Sequence, residues 1–404
     1  MKCQICSSQK LQKFLSLGHQ PVPDVFLTAK QLNEPEVSYP LEVYFCEDCC
    51  LVQLGYAVDP EILFKEYHYN TGTNASLKRN FTELVDLLVK KFDLSSKDLA
   101  IDIGSNDGTL LQGYLKYKIK ILGIDPSSVA DLAIKNGIPT IKDFFSETLA
   151  DALIKKYGKA KMITATNVFA HIMEFDSFMK GIRKILADDG VFVTESHYLL
   201  NMVKEMQYDS IYHEHLRYYS LRPLMKLFER FGMQVFDAER ISTHGGSIRV
   251  YACHGNTRKT SKNIEEITKL EQKDGMYKKE TFFNYGKNVF ENKLRLQEIL
   301  IGLKKKNKSI AGIGAPAKGN TLLNYCDITP DILDFIAETS LLKIGKFTPG
   351  MHIQVVDEKE IFKRQPEYAL LLSWNIKEIL IPKLKKAGYR GKFIVPNPVP
   401  KIVE

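Results

Sequence analysis

The stretch LAIDIGSNDGTLL, residues 99–111, decides how the rest of the chain is interpreted. It begins with a short apolar run typical of a buried strand, turns at a glycine, and ends in an apolar segment that predicts the start of a helix. Gly104 allows the backbone to turn sharply and to approach a ligand closely. Further on, ILGID at 121–125 predicts a second strand that ends in an acid. The acid, Asp125, is placed to hold the two hydroxyls of a ribose.

The loop does not match the phosphate-binding G-x-G-x-x-G pattern, because Ser105, Asn106 and Asp107 fill it. Acidic and amide side chains suit a cationic ligand with an amino-acid tail better than a pyrophosphate. The loop resembles the S-adenosylmethionine (SAM) loop of class I methyltransferases, and the alternative is a plain strand–turn–helix connection. The SAM-binding residues that the loop suggests are Asp102, Gly104, Asn106 and Asp125.

Length and composition set wide bounds on the class of protein. The 404 residues are enough for two or three domains, and 44% of them are hydrophobic. No apolar run is long enough for a membrane span, and the N-terminus is not a secretory signal, so we expect a cytoplasmic protein. The net charge of +8 suits an anionic substrate such as a nucleotide diphosphate. No arginine–aromatic pattern indicates nucleic acid.

Two cysteine pairs near the N-terminus predict a structural zinc site. Cys3 and Cys6 form one C-x-x-C element, and Cys46 and Cys49 form another. Two such elements supply four thiolates, and a closed four-thiolate site leaves no open position for catalysis. The loop-rich lobe between them, residues 1–60, could hardly bury a core without the metal. The alternative is a set of unmetallated thiols on a small β-rich lobe.

Residues 61–260 show the alternating pattern of an α/β unit. Because strands alternate with helices, we expect a mostly parallel sheet covered on both faces. The predicted strands are 99–103, 121–125, 139–142, 161–166, 190–195, 233–241 and 247–253, and the predicted helices are 109–117, 127–136, 146–157 and 175–187.

Ligands of such sheets bind beyond the carboxyl ends of the strands. After the third strand, Asp143 could meet an adenine amino group and Phe144 could stack on the ring; alternatively, Asp143 is only a charge at a helix N-terminus. The fourth strand ends in a segment that offers Asn167 and His171 to the same edge.

The segment YDSIYHEHLRYYS, residues 208–220, is unusually dense in titratable groups, which favours an active site over a solvated loop. Its spacing is not H-E-x-x-H, so it does not predict a metalloprotease. A histidine titrating near neutral pH is a standard general base, and Glu214 or Tyr212 could orient or complement it.

Four motifs together resemble the nucleotide-sugar C-methyltransferases of deoxysugar pathways, over nearly the whole chain: NVFAH at 167–171, YHEH at 212–215, THGGSIR at 243–249 and GAPAKGNTLL at 314–323. The resemblance implies SAM-dependent methylation at C3 of a nucleotide-linked 4-keto sugar.

The same resemblance assigns roles to residues of the motifs. His215 resembles the general base, and Tyr212, Glu214 and His171 resemble its companions. A tyrosine of the Tyr-x-Tyr element also reaches the site, and the choice between Tyr67 and Tyr69 stays open. Further substrate-binding candidates from the motifs are His213, Ser247 and Arg249.

Residues 261–404 predict a second, smaller Rossmann-like α/β domain after a charged helical stretch. A strand at 309–314 enters a glycine turn, and a helix follows at 322–326; later elements are strands at 332–337, 368–373 and 392–395 and a helix at 375–387. We expect this domain to lack the acidic ribose position and to hold the nucleotide diphosphate, the alternative being a structural turn. The anion-binding candidates are Lys318, Asn320, Thr321 and Lys346.

Two other functions fit parts of the sequence. An O- or N-methyltransferase would need no ketone in its substrate. A zinc-ribbon nucleic-acid module fused to a methylase-like fold would need a basic aromatic surface, which the sequence does not show. We expect a monomeric enzyme that binds neither nucleic acid nor membrane.

Overall fold

The computed structural model describes residues 1–64, 71–73 and 75–404, so both Tyr67 and Tyr69 lie outside the described residues. In chain order the helices and strands are β1 Leu11–Gln20, β2 Tyr39–Cys46, β3 Val52–Leu54, α1 Pro60–Phe64, α2 Ala75–Phe92, β4 Leu99–Ile103, α3 Thr109–Leu115, β5 Lys120–Ile124, α4 Ala130–Lys135, β6 Thr140–Ile141, α5 Glu147–Tyr157, β7 Ala160–Thr166, α6 Phe175–Ile185, β8 Leu186–His197, α7 Leu199–Lys204, β9 Arg217–Tyr218, α8 Leu221–Arg230, β10 Met233–Ile241, β11 Ser247–His254, α9 Lys262–Lys273, α10 Lys279–Lys304, β12 Ile310–Ile313, α11 Ala317–Tyr325, β13 Ile336–Glu338, β14 Val355–Asp357, α12 Lys359–Arg364, β15 Tyr368–Leu371, α13 Lys377–Lys386, β16 Lys392–Val395 and β17 Lys401–Val403.

The central unit is a seven-stranded sheet in the order β10-β11-β8-β7-β4-β5-β6. Strand β11 runs antiparallel to both of its neighbours, and the pairs from β8 to β6 are parallel. All five residues of β4 are buried, as a central strand covered on both faces requires. Ala100 packs with α2 and α3 on one face, whereas Leu99 and Ile101 pack with α5 and α6 on the other. The predicted class I methyltransferase core is confirmed.

Most predicted elements of this core are present, and their ends differ by a few residues. The fifth predicted strand is longer than expected, because β8 begins at Leu186, which pairs with Ala160 of β7. That pairing ends α6 at Ile185, two residues before the predicted end. Helix α5 begins where Ser146 accepts a hydrogen bond from the Leu149 amide, the usual N-cap arrangement.

The N-terminal lobe forms an antiparallel sheet with the order β1-β2-β3-β9. Its fourth strand comes from the middle of the chain: Val52 of β3 pairs with Tyr218, and Gln53 pairs with Arg217. Between the lobe and the core, the Leu216 amide donates to the carbonyl of Ala170 at 3.0 Å. The segment that follows His215 is therefore held by the lobe on one side and by the core on the other.

The C-terminal unit is a six-stranded sheet in the order β14-β13-β12-β15-β16-β17, parallel except for β17. Numbered within the unit, this is the 3-2-1-4-5-6 order of a Rossmann fold. The expectation that it lacks an acid at the ribose position is wrong, because β13 ends in Glu338. Glu338 Oε2 accepts from the amide of Ala315 at 2.6 Å, so the acid organises the loop after β12.

The lobe also contacts the C-terminal unit. Lys343 Nζ donates to Asp24 Oδ1 at 2.7 Å, and Leu27 forms an isolated bridge with Phe347. The lobe and the C-terminal unit are therefore in direct contact. Within the described ranges, no helix is both long and apolar enough to cross a membrane.

Candidate active site

A cavity of about 920 Å³ opens at the carboxyl ends of the central strands. Its wall includes the loops after β4, β5, β7 and β8, together with Asp24 of the lobe and Lys343 of the C-terminal unit. The rule that ligands of such sheets bind at this edge correctly predicted its place.

The loop after β4 forms one end of the cavity and needs its glycine. Gly104 has a φ of +70°, and a Cβ there would lie 2.2 Å from Cγ2 of Val168. Asp125 shapes the same loop: Oδ2 accepts from the Asn106 amide at 2.8 Å, and Oδ1 accepts from the Ser127 amide at 2.9 Å. Since a carboxylate has about four acceptor sites, Asp125 retains capacity for a ribose hydroxyl.

Asp102 lies beneath this loop and is almost fully buried. Burial raises its pKa to about 7, and the charges of Asp125 and Glu195 add to the shift, while a hydrogen bond from Thr164 opposes it. A buried carboxyl group facing the cavity becomes more favourable as an anion when a cation binds beside it. The donor set thus fits the cationic SAM.

The rim beside this loop fits an adenine ring. Asp143 and Phe144 both line the cavity, and the Phe144 side chain is 53% exposed. A large exposed aromatic surface at a cavity rim is suited to stacking on a base. Asn167 lines the opposite wall with a φ of +58°, and its amide donates to the carbonyl of Glu195 at 2.9 Å.

His215 lies in the middle of the cavity wall with its tautomer fixed. Its Nδ1 is 3.0 Å from the carbonyl oxygen of Ser210. A carbonyl only accepts, so Nδ1 carries the proton in the neutral ring, and Nε2 is the basic nitrogen. Its ring centroid lies 4.2 Å from that of Tyr212 and 4.9 Å from that of His171.

Two titratable groups that line the cavity with His215 are shifted toward their neutral forms. Burial and the nearby His215 lower the pKa of His171 to about 3, so His171 is neutral at neutral pH. Burial raises the pKa of Glu214 to about 8; Asp24 raises it further, while Lys343 lowers it. Glu214 is therefore mainly a neutral acid at pH 7 and can donate a hydrogen bond.

Two lysines, Lys318 and Lys343, line the cavity, and Lys343 is paired with Asp24, which lines it as well. Lys318, in the first turn of α11, lines it and donates to the side chain of Asn375. Burial lowers the pKa of Lys318, an effect that the nearby Asp209 opposes. Lys343 lies on the same wall. Two lysines at a helix N-terminus form a suitable environment for an anionic ligand.

Six predicted substrate-binding residues are not among the residues that line the cavity: His213, Ser247, Arg249, Asn320, Thr321 and Lys346. His213 is fully buried, and its Nε2 lies 3.2 Å from the Tyr39 carbonyl in the lobe. Arg249 forms buried ion pairs within the sheet, at 2.5 Å to Glu195 and 2.8 Å to Glu239. Both side chains therefore make contacts within the fold: His213 with the lobe and Arg249 within the central sheet.

Two of the other four, Ser247 and Asn320, form hydrogen bonds to backbone carbonyls. Ser247 Oγ donates to the carbonyl of Thr243 at 3.0 Å, and Asn320 Nδ2 donates to the carbonyl of Pro23 at 2.5 Å. Thr321 is fully buried in α11. Lys346 follows Lys343 by three residues, and the chain between them turns so that Lys343 lines the cavity instead.

Sequence reasoning also missed His197, the last residue of β8. It lines the cavity, and its ring centroid lies 5.3 Å from that of His215 in an edge-to-face arrangement. The signal was available, because the same strand-end rule that selected Asn167 applies to the fifth strand. The predicted strand stopped at residue 195, two residues short of the histidine.

The four predicted zinc ligands form one cluster in the lobe. Cys3 and Cys49 sulfurs are 3.4 Å apart, those of Cys6 and Cys46 are 3.6 Å apart, and all four lie within 4.8 Å of one another. A tetrahedral zinc with Zn–S bonds of about 2.3 Å separates its sulfurs by about 3.8 Å. Hydrogen bonds from Cys3 and Cys49 hold the pKa of Cys46 well below its usual range. The cluster fits a closed structural zinc site.

Sheet order, glycine loop, buried acids and cavity together define a class I SAM-dependent methyltransferase with a zinc-binding lobe. The family models agree: a zinc binding domain matches residues 3–64, a methyltransferase domain matches 74–238, and a C-methyltransferase C-terminal domain matches 242–398. C-methyltransferase NovU of Streptomyces niveus is 30% identical over 405 residues, covering 100% of this chain and 96% of that protein. The chain belongs to this C-methyltransferase family.

The solved structures that resemble this chain match less than half of its length. A SAM-dependent methyltransferase of Clostridium acetobutylicum is 14% identical and covers 44% of this chain and 92% of its own, with a TM-score of 0.36. Magnesium protoporphyrin IX methyltransferase of Synechocystis, with bound SAH, is 14% identical. The match covers 47% of this chain and 90% of that protein, with a TM-score of 0.35.

Proposed function

We propose that this C-methyltransferase methylates C3 of a nucleotide-linked 4-keto sugar through an enolate, with His215 as the general base. One observation carries the proposal: the Ser210 carbonyl fixes the His215 tautomer, so that Nε2 is the ring nitrogen able to accept a proton, in a side chain that lines the cavity. A C–H group must lose its proton to such a base before its carbon can accept a methyl group. A hydroxyl or amine substrate depends less on a base for methyl transfer.

The ketone makes the neighbouring C–H bond acidic enough for a histidine to break it. SAM supplies an electrophilic methyl group to the carbon that loses the proton. His215 is held by Ser210 and by its neighbouring rings, so its geometry is set before the substrate enters. Preorganised bases of this kind contribute about 10²–10⁴-fold to the rate.

The enolate oxygen needs donors that carry no negative charge. His171 is neutral because its pKa is about 3, and Glu214 is mainly neutral because its pKa is about 8. Together with the hydroxyl of Tyr212, these groups line the same cavity and can donate toward a developing oxyanion. The arrangement therefore supports charge that appears only after proton removal.

Lys318, Lys343 and the N-terminus of α11 are the groups that we assign to the diphosphate. Both lysines line the same cavity as the SAM loop and His215. Basic groups and a general base in one cavity support a substrate that has both an anionic part and a reacting carbon, as a nucleotide sugar does. Tyr67 and Tyr69 remain candidates for the sugar site.

Incubation with SAM and a panel of 4-keto-6-deoxyhexoses linked to UDP, dTDP, GDP or CDP tests the proposal. We expect one member to gain a single methyl group by mass, and NMR to place it on C3. The matched controls are the same nucleotide sugars with a hydroxyl at C4. Methylation of a control at oxygen would contradict the C3 proposal and favour an O-methyltransferase.

A further inference from the structure

We propose that His197 is the proton exit of this active site: it takes from His215 the proton that the substrate loses and passes it to solvent. The proposal rests on the proposed function, because it needs His215 to be the base. It assigns His197 to the loss of the proton from His215, the step that follows methyl transfer.

The atom balance requires such a step in each turnover. The substrate C–H bond breaks and its electron pair forms the new C–CH₃ bond. The S–CH₃ bond of SAM breaks with its electron pair staying on sulfur, so the sulfonium becomes the thioether of SAH. The proton remains on His215 as an imidazolium. The side chain must lose this proton before it can act again, and His215 is only 8% exposed.

Among the described residues, four aromatic groups make ring contacts with His215, and of these four His197 is the one suited to proton acceptance. Tyr212 and Tyr218 are phenols, which carry their own proton at neutral pH, and burial raises the pKa of Tyr218 further. His171 is a poor acceptor, since its pKa is about 3. His197 is the remaining imidazole, edge-to-face with His215 at 5.3 Å between centroids.

Exposure and backbone geometry also favour His197. It is half-buried and lies on the wall of the open cavity, so one side of its ring can reach solvent. Its position is fixed because it pairs with Ser247 across β8 and β11, and the next amide, of Tyr198, donates to the Gly246 carbonyl at 3.0 Å. A centroid separation of 5.3 Å is short enough for proton transfer between the two rings directly or through a bridging water.

Single-turnover and steady-state rates of His197→Asn separate proton exit from the other steps. The substrate is the nucleotide sugar that wild type methylates in the panel above, with enzyme in excess for the single turnover. We expect single-turnover methyl transfer within about twofold of wild type and a steady-state rate at least about tenfold lower. Imidazole added to the buffer should restore the steady-state rate. His19→Asn, on the exposed side of β1, is the matched control and should behave as wild type.

An unchanged steady-state rate would overturn the proposal, because the proton would then leave His215 without His197. A parallel loss of both rates without rescue by imidazole would also overturn it and make His197 a positioning residue. His197→Gln serves if the Asn variant does not fold, and SAM binding by calorimetry shows which variant is intact. Failure of the proposed function differs from both outcomes, because wild type itself would then methylate no panel member.

Discussion

Nδ1 of His215 lies 3.0 Å from the carbonyl oxygen of Ser210, five residues earlier in the same segment. This one contact fixes which nitrogen of the ring is basic. The neighbouring β9 strand, held by the lobe, fixes the backbone that carries the ring. The tautomer of the neutral His215 ring is therefore set by local chain geometry.

His215→Asn should abolish deprotonation while SAM binding remains. We expect turnover to fall by about 10²–10⁴-fold, the usual contribution of a general base. Deuterium entry at C3 of the 4-keto sugar in heavy water, with and without SAH to fill the cofactor site, measures the deprotonation directly.

His213→Asn is the control, because His213 packs against Tyr39 of the lobe and does not line the cavity. It should lower the melting temperature more than it lowers exchange. Normal exchange in His215→Asn, together with lost exchange in His213→Asn, would show that His213 is the base.

The sequence predicted those features that depend on local pattern. Strand alternation located the central sheet, and the strand-end rule located Asn167 and His171 on the cavity. The sharp turn predicted at Gly104 is confirmed by its φ of +70°, and Val168 occupies the space of its Cβ. The predicted close approach to a ligand stays a prediction.

Contacts between distant segments could not be predicted in this way. Ser247 and Arg249 belong to a conspicuous motif, yet their side chains serve the pairing and charge of the sheet. Lys343 reaches the cavity because it contacts Asp24, some 319 residues away in sequence. No periodicity within either segment encodes that pairing.

Gly104→Ala should disturb the SAM loop by steric overlap. Its new Cβ would lie 2.2 Å from Val168, in addition to the strain of a φ of +70°. We expect a loss of about 1–3 kcal/mol in unfolding free energy and a weaker SAM affinity, measured by denaturant titration and calorimetry.

Gly137→Ala separates the two causes, because Gly137 has a φ of +77° and no atom within 4 Å of the added Cβ. It should cost only about 1 kcal/mol and leave SAM affinity unchanged. The double change Gly104→Ala with Val168→Ala should recover part of the affinity; no recovery would mean that backbone strain alone is responsible.

Cys3→Ser should remove zinc from the lobe. Elemental analysis of the wild-type protein is expected to give about one zinc per chain. Losing the metal should lower the unfolding free energy on the order of 4 kcal/mol. Because β9 completes the sheet of the lobe, amide hydrogen exchange at Tyr218 should also become faster.

Cys50→Ser is the matched control, since Cys50 is buried beside Cys49 but is not part of the four-sulfur cluster. It should retain the zinc. Equal zinc loss in both variants would mean that Cys50 is a ligand, and wild-type protein purified without chelator yet free of zinc would contradict the site itself.

Glu214→Gln tests whether the acid works in its neutral form. The wild-type pKa is raised from 4.5 to about 8, mainly by burial. The folded protein thus binds this proton more tightly than the unfolded chain, so the contribution of Glu214 to stability falls as pH rises from about 4.5 to about 8. Gln cannot ionise and is also a donor. The variant should therefore gain stability relative to wild type across that range, and it should keep activity within about tenfold at pH 7.

The decisive comparison is the alkaline side of the activity profile. Wild-type kcat should fall above about pH 8 as Glu214 ionises, whereas the Gln variant should stay flat there. Glu214→Ala, which lacks a donor at every pH, should be slow throughout and supplies the control. If Glu214→Gln were as slow as Glu214→Ala at pH 7, the reaction would require the ionised carboxylate of Glu214. Lys343, whose charge lowers the pKa of Glu214, would then be the group that favours this form.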